Sequence, residues 1–479
     1  MAYKQGERNQ QVLFPQSIED YVGKEDVVRG YDAMIDALDI EATGLKLDYK
    51  RVGAPAYDPK SMLKLLVYGY SYGIRSSRKL ERECHYNVSF IWLTGGLKPD
   101  HKTIAEFRKN NAGVLKSVLR ETAKIAMKLG LIEGNTLFID GSKIRGNASV
   151  ENSWTKERAE ETLNKIDDQI SEIIKECEEI DQAEANSPSL IKLKKELGNK
   201  EELKSSVEKI VKEIKDNDKN NHNTTDQDSV RLNSTHGIFA GYNVQSVVDE
   251  KHGLIVSVDT ISQNNDSNQL TPQLKNAEEV LGKKCEVVCA DSGYSSLEDL
   301  VNVDKNGIRV VVPSTRQAFS EKKELSKYSN INFKYNAEKD CMVCPEGQEL
   351  AWYSNGFTRK VVKYKAHKKI CNACKFESLC TTSKNGRSVD RSLNQNVKER
   401  LEAQYKEPEN QAIYRLRKQK AELPFAHIKK NLKLDSFLLR GKSKVLGEIS
   451  ILAACFNIIR MINYFGIDEF KQKLMTIPN

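Results

Sequence analysis

Two strand-like runs of apolar residues, far apart in the chain, each lead into an aspartate. The run LFID ends at Asp140, and the run CEVVCAD ends at Asp291. An aspartate that follows a strand is usually a turn former or a helix cap, and either run alone would be interpreted in that way. Together they constrain the fold more strongly, because neighbouring strands of one mixed sheet can present both carboxylates at the same edge.

The elements around these runs alternate between strand and helix. Residues 237–262 show the period of two that is typical of strands, interrupted by the turn DEKHG, and helical patterns precede and follow the run that ends at Asp291. The order is strand, helical insert, strand, strand, helix, strand, helix, strand. This order predicts an α/β core built on a mixed sheet.

The N-terminal part of the chain reads as several short helices between residues 57 and 130. Asp58 is a good N-cap with Pro59 at the first helical position, Asp100 is a second N-cap, and Gly130 ends the last helix. Basic residues lie between these helices, which suits a DNA-binding domain. A plain helical core fits the pattern nearly as well.

A charged insert interrupts the α/β order. Apolar residues recur at alternating spacings of three and four on both sides of a turn that contains proline and serine, which predicts an antiparallel helical hairpin. The residues of this pattern include Leu163, Ile166, Ile170, Ile173, Leu203, Val207, Ile210 and Ile214. Trp154, just before the insert, could stack on an unpaired base, but packing against the hairpin is the favoured interpretation.

The distribution of charge indicates a polyanionic partner. The chain has a net charge of +8, while residues 151–220 contain 19 acidic and 13 basic residues. Because this insert carries −6, the rest of the chain carries +14. A basic body with an acidic appendage favours nucleic acid as the partner, although a merely soluble basic protein would share this feature.

Ten cysteines, without a signal-peptide pattern, predict a reducing compartment rather than a disulfide framework. Two CxxC pairs have the spacing of a zinc ribbon, and a fifth cysteine follows the second pair. These five candidate Zn²⁺ ligands are Cys341, Cys344, Cys371, Cys374 and Cys380. Four ligands suffice, so one is spare, with Cys374 and Cys380 as alternatives; ordinary reduced cysteines are the other interpretation. The remaining cysteines lie on apolar patterns and are expected in the core.

A third acidic residue lies in a strongly basic segment near the C-terminus. Residues 414–444 contain ten lysines and arginines against two acids, one of which is Glu422. Helical spacing puts Lys418 and Lys429 on the same face as Glu422, as expected for a metal ligand beside a phosphate track. A surface salt bridge is the alternative.

Three carboxylates of this kind would suit divalent metal chemistry. Mg²⁺ prefers hard oxygen ligands and often takes one or two carboxylates together with phosphate oxygens. Two such ions about 4 Å apart can activate a nucleophile and stabilise a leaving oxygen in phosphoryl transfer. We therefore predict that Asp140, Asp291 and Glu422 share a site for two Mg²⁺ (or Mn²⁺) ions.

Several blocks of sequence, taken in order, resemble the DDE transposases of bacterial insertion sequences, specifically the IS1182-type group. The blocks that carry the resemblance are DGSKIRGNAS, TDQDSVR, GYNVQSVVD, ADSGY and YRLRKQKAELPFAHIKKNLKLDSFLLRGKSKVLGEISILA. The segment from GAPAYDPKSM to HKTIAEFR is similar to the N-terminal helical domain of that group. The resemblance runs from about residue 10 to about residue 465.

The resemblance implies an RNase H-like catalytic core with Asp140, Asp291 and Glu422 as the catalytic triad. Gly141, which has no Cβ, would let the substrate backbone approach. Asp226 and Asp228, in the polar loop TDQDSVR, could be accessory acids, but solvated loop residues are the favoured interpretation. The tyrosine–arginine–glutamate–lysine signature of the family is matched by Tyr414, Arg417, Glu422 and Lys429, with one residue more than usual between Arg417 and Glu422, so that Lys418 could replace Arg417. The predicted DNA-binding residues are Lys143, Arg145, Tyr414, Arg417, Lys418, Lys429 and Lys430.

The resulting hypothesis is an α/β protein with four parts. They are an N-terminal all-helical DNA-binding domain (1–130), an RNase H-like mixed-sheet core (131–150, 226–314 and 405–470), a helical hairpin insertion (151–225) and a Cys-rich insertion (315–404). The core would cut and join double-stranded DNA at transposon ends and target sites. We expect a homodimer in the synaptic complex, no membrane association and a cytoplasmic, nucleoid-associated location. The alternatives are an inactive regulator derived from a transposase and a nuclease without strand transfer.

Overall fold

The computed structural model describes residues 17–47, 56–183, 188–216, 221–234, 237–320, 326–356 and 361–477. The chain divides into two compact units. The first comprises the described parts of Met1–Asp266, Gln273–Lys284 and Lys418–Asn479, and the second comprises Ser267–Pro272 and Cys285–Arg417. Both units combine helices with strands, so the α/β class is confirmed.

The first unit begins with a series of helices, as predicted. They are α1 (Val27–Asp36), α2 (Ile40–Thr43), α3 (Pro59–Ser71), α4 (Ser77–Tyr86), α5 (Val88–Leu93), α6 (His101–Asn110) and α7 (Ala112–Lys128). The Asp58 carboxylate accepts a hydrogen bond from the Ser61 N–H, and the Asp100 carboxylate caps α6 in the same way. Gly130 follows α7 with a φ of 70°. The capping predictions are therefore confirmed.

Strand β1 (Thr136–Arg145) leads into the charged insert. The insert contains β2 (Ser153–Thr155), the long helices α8 (Lys156–Ala183) and α9 (Pro188–Asp216), and β3 (Asn221–Asn223), which pairs with β2. The two helices pack on each other around a small core that includes Ile166 and Val207. Trp154 packs against this core. Residues 184–187 of the predicted turn lie outside the described residues.

The remaining strands of the first unit are antiparallel. They are β4 (Val230–Ser234), β5 (Gly237–Asp249) and β6 (Ile255–Ile261). The long strand β5 pairs with β1 along one edge, and with β4 and then β6 along the other. Helix α10 (Leu270–Leu281) follows, and most of it belongs to this unit.

The second unit contains two groups of strands. Strands β7 (Val287–Cys289) and β8 (Arg309–Val311) are parallel, with α11 (Leu297–Lys305) between them and α12 (Thr315–Ser320) after them. The Cys-rich part forms a five-stranded antiparallel sheet of β9 (Lys334–Asn336), β10 (Cys341–Val343), β11 (Glu349–Gly356), β12 (Val361–Lys365) and β13 (Ser388–Ser392). Its helices are α13 (Lys368–Asn372) and α14 (Glu377–Cys380), and α15 (Gln395–Tyr405) and α16 (Pro408–Arg415) end the unit.

The chain returns to the first unit through a π-helical turn at Lys418–Glu422, followed by α17 (Leu423–Lys430), α18 (Lys442–Phe465) and α19 (Ile467–Met475). Helix α18 packs on α3, α7 and β6. By length and composition α18 could span a membrane. However, 83% of its most apolar window is buried inside the protein, as in the core helix of a globular fold.

Candidate active site

Asp140 lies within β1 rather than at its end. Leu137, Phe138 and Ile139 are fully buried and anchor the strand in the core. Pairing with β5 continues past Asp140, which faces Ser246, and reaches Arg145. The sequence predicted that this strand stops at the Asp140 carboxylate. In the structure the strand continues, because the small and polar residues after Asp140 still form the antiparallel hydrogen bonds to β5.

Lys429, at the end of α17, reaches the part of β1 that carries Asp140. Its Nζ donates a hydrogen bond of 2.7 Å to Ser142 Oγ. Ser142 lies two residues after Asp140 and therefore on the same face of the strand. Burial lowers the pKa of Lys429, and the negative charge of Asp140 partly opposes this change. A partly desolvated cation thus stands beside the carboxylate.

Glu422 ends the π-helical turn, which packs against β1 and β5 of the same unit. The turn is held in place by Lys420, whose Nζ donates hydrogen bonds to the carbonyl oxygens of Glu250 and Lys251. Glu422 is half-buried. Asp140, Lys429 and the segment that carries Glu422 therefore belong to one region of the first unit.

The π turn explains the unusual spacing of the signature. A π turn closes i→i+5 hydrogen bonds, so it holds one residue more than an α-helical turn. The extra residue between Arg417 and Glu422 is accommodated in this wider turn. Lys418, the alternative to Arg417, begins the turn and its side chain is exposed.

Asp291 belongs to the second unit, where it follows the buried strand β7. Its carboxylate caps a short 3₁₀ turn by accepting a hydrogen bond of 2.8 Å from the Gly293 N–H. The predicted signature residues Tyr414 and Arg417 lie close to it. Burial raises the pKa of Tyr414, the charge of Arg417 opposes this change, and the charge of Asp291 adds to it. The Arg417 guanidinium lies 5.9 Å from the centre of the Tyr414 ring.

Lys143 and Arg145, which were predicted to bind phosphates, alternate with Asp140 and Ser142 along β1. Strand geometry therefore directs them to the opposite face of the sheet. Lys143 Nζ donates a hydrogen bond of 2.9 Å to the carbonyl oxygen of Asn233, and the Arg145 guanidinium lies 5.6 Å from the ring centre of Phe239. They are not gathered around Asp140, and their DNA-binding role stays a prediction, as it does for the exposed Lys430.

Gly141 serves a purpose other than the predicted one. A Cβ atom at this position would lie 2.5 Å from Asp266 Oδ1 and 2.7 Å from Gln245 Nε2. The absent side chain therefore makes room for Asp266, which accepts hydrogen bonds of 2.8 Å from Asn243 and 2.7 Å from Gln245. Sequence reasoning missed this cluster. The signal in the sequence was a pair of amide residues, Asn243 and Gln245, at alternate positions of β5, and both are fully buried in the structure.

Asp226, which the sequence suggested is a solvated loop residue or an accessory acid, is buried. Only 3% of it is exposed. The Tyr242 hydroxyl donates to its carboxylate at 2.8 Å, and the Gly441 N–H donates at 3.0 Å. The neighbouring Asp228 accepts a hydrogen bond of 2.9 Å from the Lys442 N–H. Both acids hold the start of α18 against β5, and the solvated interpretation is wrong for Asp226.

Four of the five candidate zinc ligands line the same cavity, and the fifth does not. Four cysteines, which we call the cysteine quartet, line one cavity of about 30 Å³ in the second unit: Cys344, Cys371, Cys374 and Cys380. Cys341 does not line this cavity. Of the other cysteines, Cys84, Cys285, Cys289 and Cys455 are buried as expected, whereas Cys177 is only half-buried.

Within the part of the chain that the structure describes, no group of three His, Cys, Asp or Glu side chains is already arranged to hold a metal ion. The catalytic metal site and the zinc site that the sequence predicts therefore stay predictions.

Comparison with known proteins gives two family matches. Residues 16–110 match a family described as transposase domain (DUF772), and residues 343–462 match a family described as transposase DDE domain (DDE_Tnp_1_6). The second match contains Tyr414, Arg417, Glu422 and Lys429. Both matches are to transposase domains. Together, and in this order, they fit a DDE transposase of the insertion-sequence type, in agreement with the resemblance to the IS1182-type group.

Among solved structures, a piggyBac transposase synaptic complex with hairpin DNA, determined by cryo-EM, is similar to this chain. The alignment covers 94% of this chain and 79% of that chain, with 10% sequence identity and a TM-score of 0.34. No curated protein matches the chain.

Proposed function

We propose that this protein is the active transposase of its own insertion sequence, and that it binds the terminal inverted repeats, cuts the transposon ends and joins them to target DNA. The observation that carries the proposal is the contact between Lys429 and Ser142. Through it, the segment that matches the transposase DDE domain contributes a cation to the strand that bears Asp140. A lysine beside a half-buried carboxylate suits a site that handles phosphate groups.

Asp140, Asp291 and Glu422 form the proposed catalytic triad of an RNase H-like core. All three are half-buried carboxylates, and they offer the hard oxygen ligands that Mg²⁺ or Mn²⁺ takes. The chemistry of this donor set suits two such ions, which when bound would polarise the scissile phosphate and activate the attacking oxygen. Electrostatic stabilisation of this kind is the main contribution that a protein makes to phosphoryl transfer.

The chain's other polar groups would position the DNA. Lys429 and Arg417 would each hold a backbone phosphate, and Tyr414 would orient Arg417 through the contact between their side chains. Water attacks phosphorus and the 3′ oxygen of the transposon leaves as a hydroxyl. This hydroxyl then attacks a target phosphodiester, which releases a target 3′ oxygen.

The basic segment at 414–444 and the N-terminal helices would bind the DNA ends. Two ends must be held at once, so we propose a homodimer as the synaptic form, acting on the chromosome in the cytoplasm. Contacts to phosphates imply that binding weakens steeply as salt increases.

The test uses the full chain and duplexes that carry the ends of its own element with flanking DNA. We expect Mg²⁺-dependent or Mn²⁺-dependent cleavage that leaves a 3′ hydroxyl, followed by joining to a supercoiled target. Asp140→Asn, Asp291→Asn and Glu422→Gln should each abolish cleavage but retain binding to the ends. Asp435→Asn changes an exposed acid in the same basic segment and is the matched control.

The outcomes separate the alternatives. Binding without cleavage by the unmodified protein would favour an inactive regulator. Cleavage without joined products would favour a nuclease. Normal cleavage by Asp140→Asn or Asp291→Asn would refute the triad.

A further inference from the structure

The cysteine quartet is assembled from three separate segments of the second unit. Cys344 directly follows β10, Cys371 lies in α13 with Cys374 just after it, and Cys380 is the last residue of α14. All four line the same cavity of about 30 Å³. This volume holds little more than one or two water-sized particles. Four cysteines from three segments therefore border one small space.

Cys341, the fifth candidate, is directed elsewhere by the alternation of its strand. Its neighbour Met342 packs into the small apolar core of the Cys-rich part. Cys341 therefore lies on the other face of β10, where it lines a different cavity together with Lys339 and Tyr353. The sequence left Cys374 or Cys380 as the spare cysteine, whereas in the structure Cys341 is the one that lies apart from the other four.

Two of the four sulfur atoms already accept backbone hydrogen bonds. The Gln348 N–H lies 3.3 Å from Cys344 Sγ, and the Arg387 N–H lies 3.4 Å from Cys371 Sγ. The turn after Cys344 is closed by a hydrogen bond of 2.9 Å from the Gly347 N–H to the Cys344 carbonyl oxygen. Gly347 has a φ of 80°, which a residue with a side chain rarely adopts. Backbone N–H groups that donate to cysteine sulfur would fix the orientation of these two side chains as ligands.

We propose that the cysteine quartet binds one Zn²⁺ ion as four thiolates in tetrahedral geometry. Four protein ligands leave no open coordination position, so the ion is structural rather than catalytic. Soft thiolates select Zn²⁺ over the hard Mg²⁺ of the proposed catalytic site. The side chains are not yet at ligand positions, so the ion draws them together within the cavity. This site is independent of the proposed DNA chemistry.

The surroundings of the quartet explain why an ion would stabilise this part of the chain. The apolar core beneath it is small and consists of Phe333, Met342, Leu350, Tyr364, Ala366 and Val389. A core of this size contributes little stability, and small domains commonly add a metal to compensate.

The first test is the zinc content of the full chain. The protein is purified under reducing conditions without chelators, and its metal content is measured by inductively coupled plasma mass spectrometry. We expect one Zn²⁺ per chain. Single substitutions to serine at each quartet position should lower the zinc content and the thermal stability. Cys341→Ser is the matched control and should retain a full equivalent. Absence of zinc, or its loss in Cys341→Ser with retention in Cys374→Ser or Cys380→Ser, would overturn the assignment.

A second measurement does not depend on the variants folding. X-ray absorption at the zinc edge of the unmodified chain should show four sulfur neighbours at about 2.3 Å. Replacement by Co²⁺ should give the absorption of a tetrahedral tetrathiolate complex. Nitrogen or oxygen neighbours in place of sulfur, or disulfides among the quartet on thiol titration, would refute the proposal.

Discussion

Lys429 Nζ donates a hydrogen bond of 2.7 Å to Ser142 Oγ, two residues after Asp140 on the same strand. This contact joins the C-terminal basic segment to the strand that carries the first predicted catalytic carboxylate. Burial lowers the pKa of Lys429, so its ammonium is held in the fold at a cost. A residue that is held in the fold at a cost, beside the predicted catalytic carboxylate, is expected to contribute to function rather than to stability.

We predict that Lys429→Met leaves the thermal stability of the chain unchanged or raised, because it removes a partly buried charge. DNA cleavage should fall by about tenfold to a hundredfold, since a charge-assisted hydrogen bond to phosphate contributes about 1.5–3 kcal/mol. Lys429→Arg, which keeps the charge, should restore part of the activity. Thermal unfolding and cleavage of element-end DNA check the two effects separately.

Lys430→Met is the control for Lys429, because Lys430 is the next residue and is exposed. Its loss should weaken DNA binding only slightly and leave the cleavage rate of bound DNA unchanged. A clear loss of stability in Lys429→Met, with cleavage intact, would mean that the lysine is structural.

Gly141→Ala should destabilise the first unit by about 1–3 kcal/mol, because the added Cβ would overlap the Asp266 carboxylate and the Gln245 amide. In an Asp266→Ala background the same substitution should cost less, since one of the clashing groups is gone. Denaturant unfolding of the two single variants and the double variant measures this coupling.

Gly113→Ala is the matched control for Gly141. Apart from its chain neighbours and the backbone of its own helix, no atom lies within 4 Å of a Cβ placed at Gly113, which is in the first turn of α7. Alanine is favoured in helices, so this variant should be more stable by up to about 1 kcal/mol. Equal costs for Gly141→Ala with and without Asp266 would show that the crowding is not responsible.

Features set by local sequence could be predicted. The Asp58 and Asp100 caps, the paired strands β5 and β6, and the break at Gly130 each depend on residues that are close in the chain. Short-range capping and periodicity determine such features directly. The same reasoning placed Asp140 and Asp291 by the apolar strands that carry or precede them.

Features set by contacts between distant segments could not be predicted. Gly141 looked like free space for a substrate, but the residue that fills it, Asp266, lies on a loop after β6. Asp226 looked like a solvated acid until Tyr242 and Gly441 were placed beside it. The π turn was also missed, because a helical pattern in sequence does not reveal one extra residue in a turn.

Deletion of Gln419 tests the interpretation of the π turn. Gln419 is an exposed residue in the middle of the turn, and its removal should convert the turn to α-helical hydrogen bonding while the flanking helices keep their orientation. We expect a folded protein with near-normal helical content by circular dichroism and measurable DNA cleavage. Deletion of Ala426, an exposed residue inside α17, should instead rotate Lys429 away from Ser142 and abolish cleavage. Equal effects of the two deletions would contradict the interpretation.

A buried ion pair links the N-terminal helices to α18. Arg75 donates to Glu448 at 3.0 Å, and only 10% of the arginine side chain and none of the glutamate side chain is exposed. Glu448 also accepts hydrogen bonds from the Leu438 and Leu439 N–H groups. Glu448→Ala would leave a buried cation and two buried donors without this partner. We expect a loss of about 3–5 kcal/mol in the free energy of unfolding.

The pH dependence of stability distinguishes Glu448 from an ordinary surface acid. Burial raises the pKa of Glu448, and the Arg75 charge only partly opposes this. The folded protein therefore keeps the Glu448 proton to higher pH than the unfolded chain does. The contribution of this proton to the free energy of unfolding is greatest below the ordinary pKa of 4.5, and it is lost as pH rises through the raised pKa of the folded state. Glu448→Gln should flatten this part of the stability profile. Glu469→Ala, which breaks an exposed pair with Lys473, should cost less than about 1 kcal/mol. A cost for Glu448→Ala as small as that would show that the buried pair does not hold the two elements together.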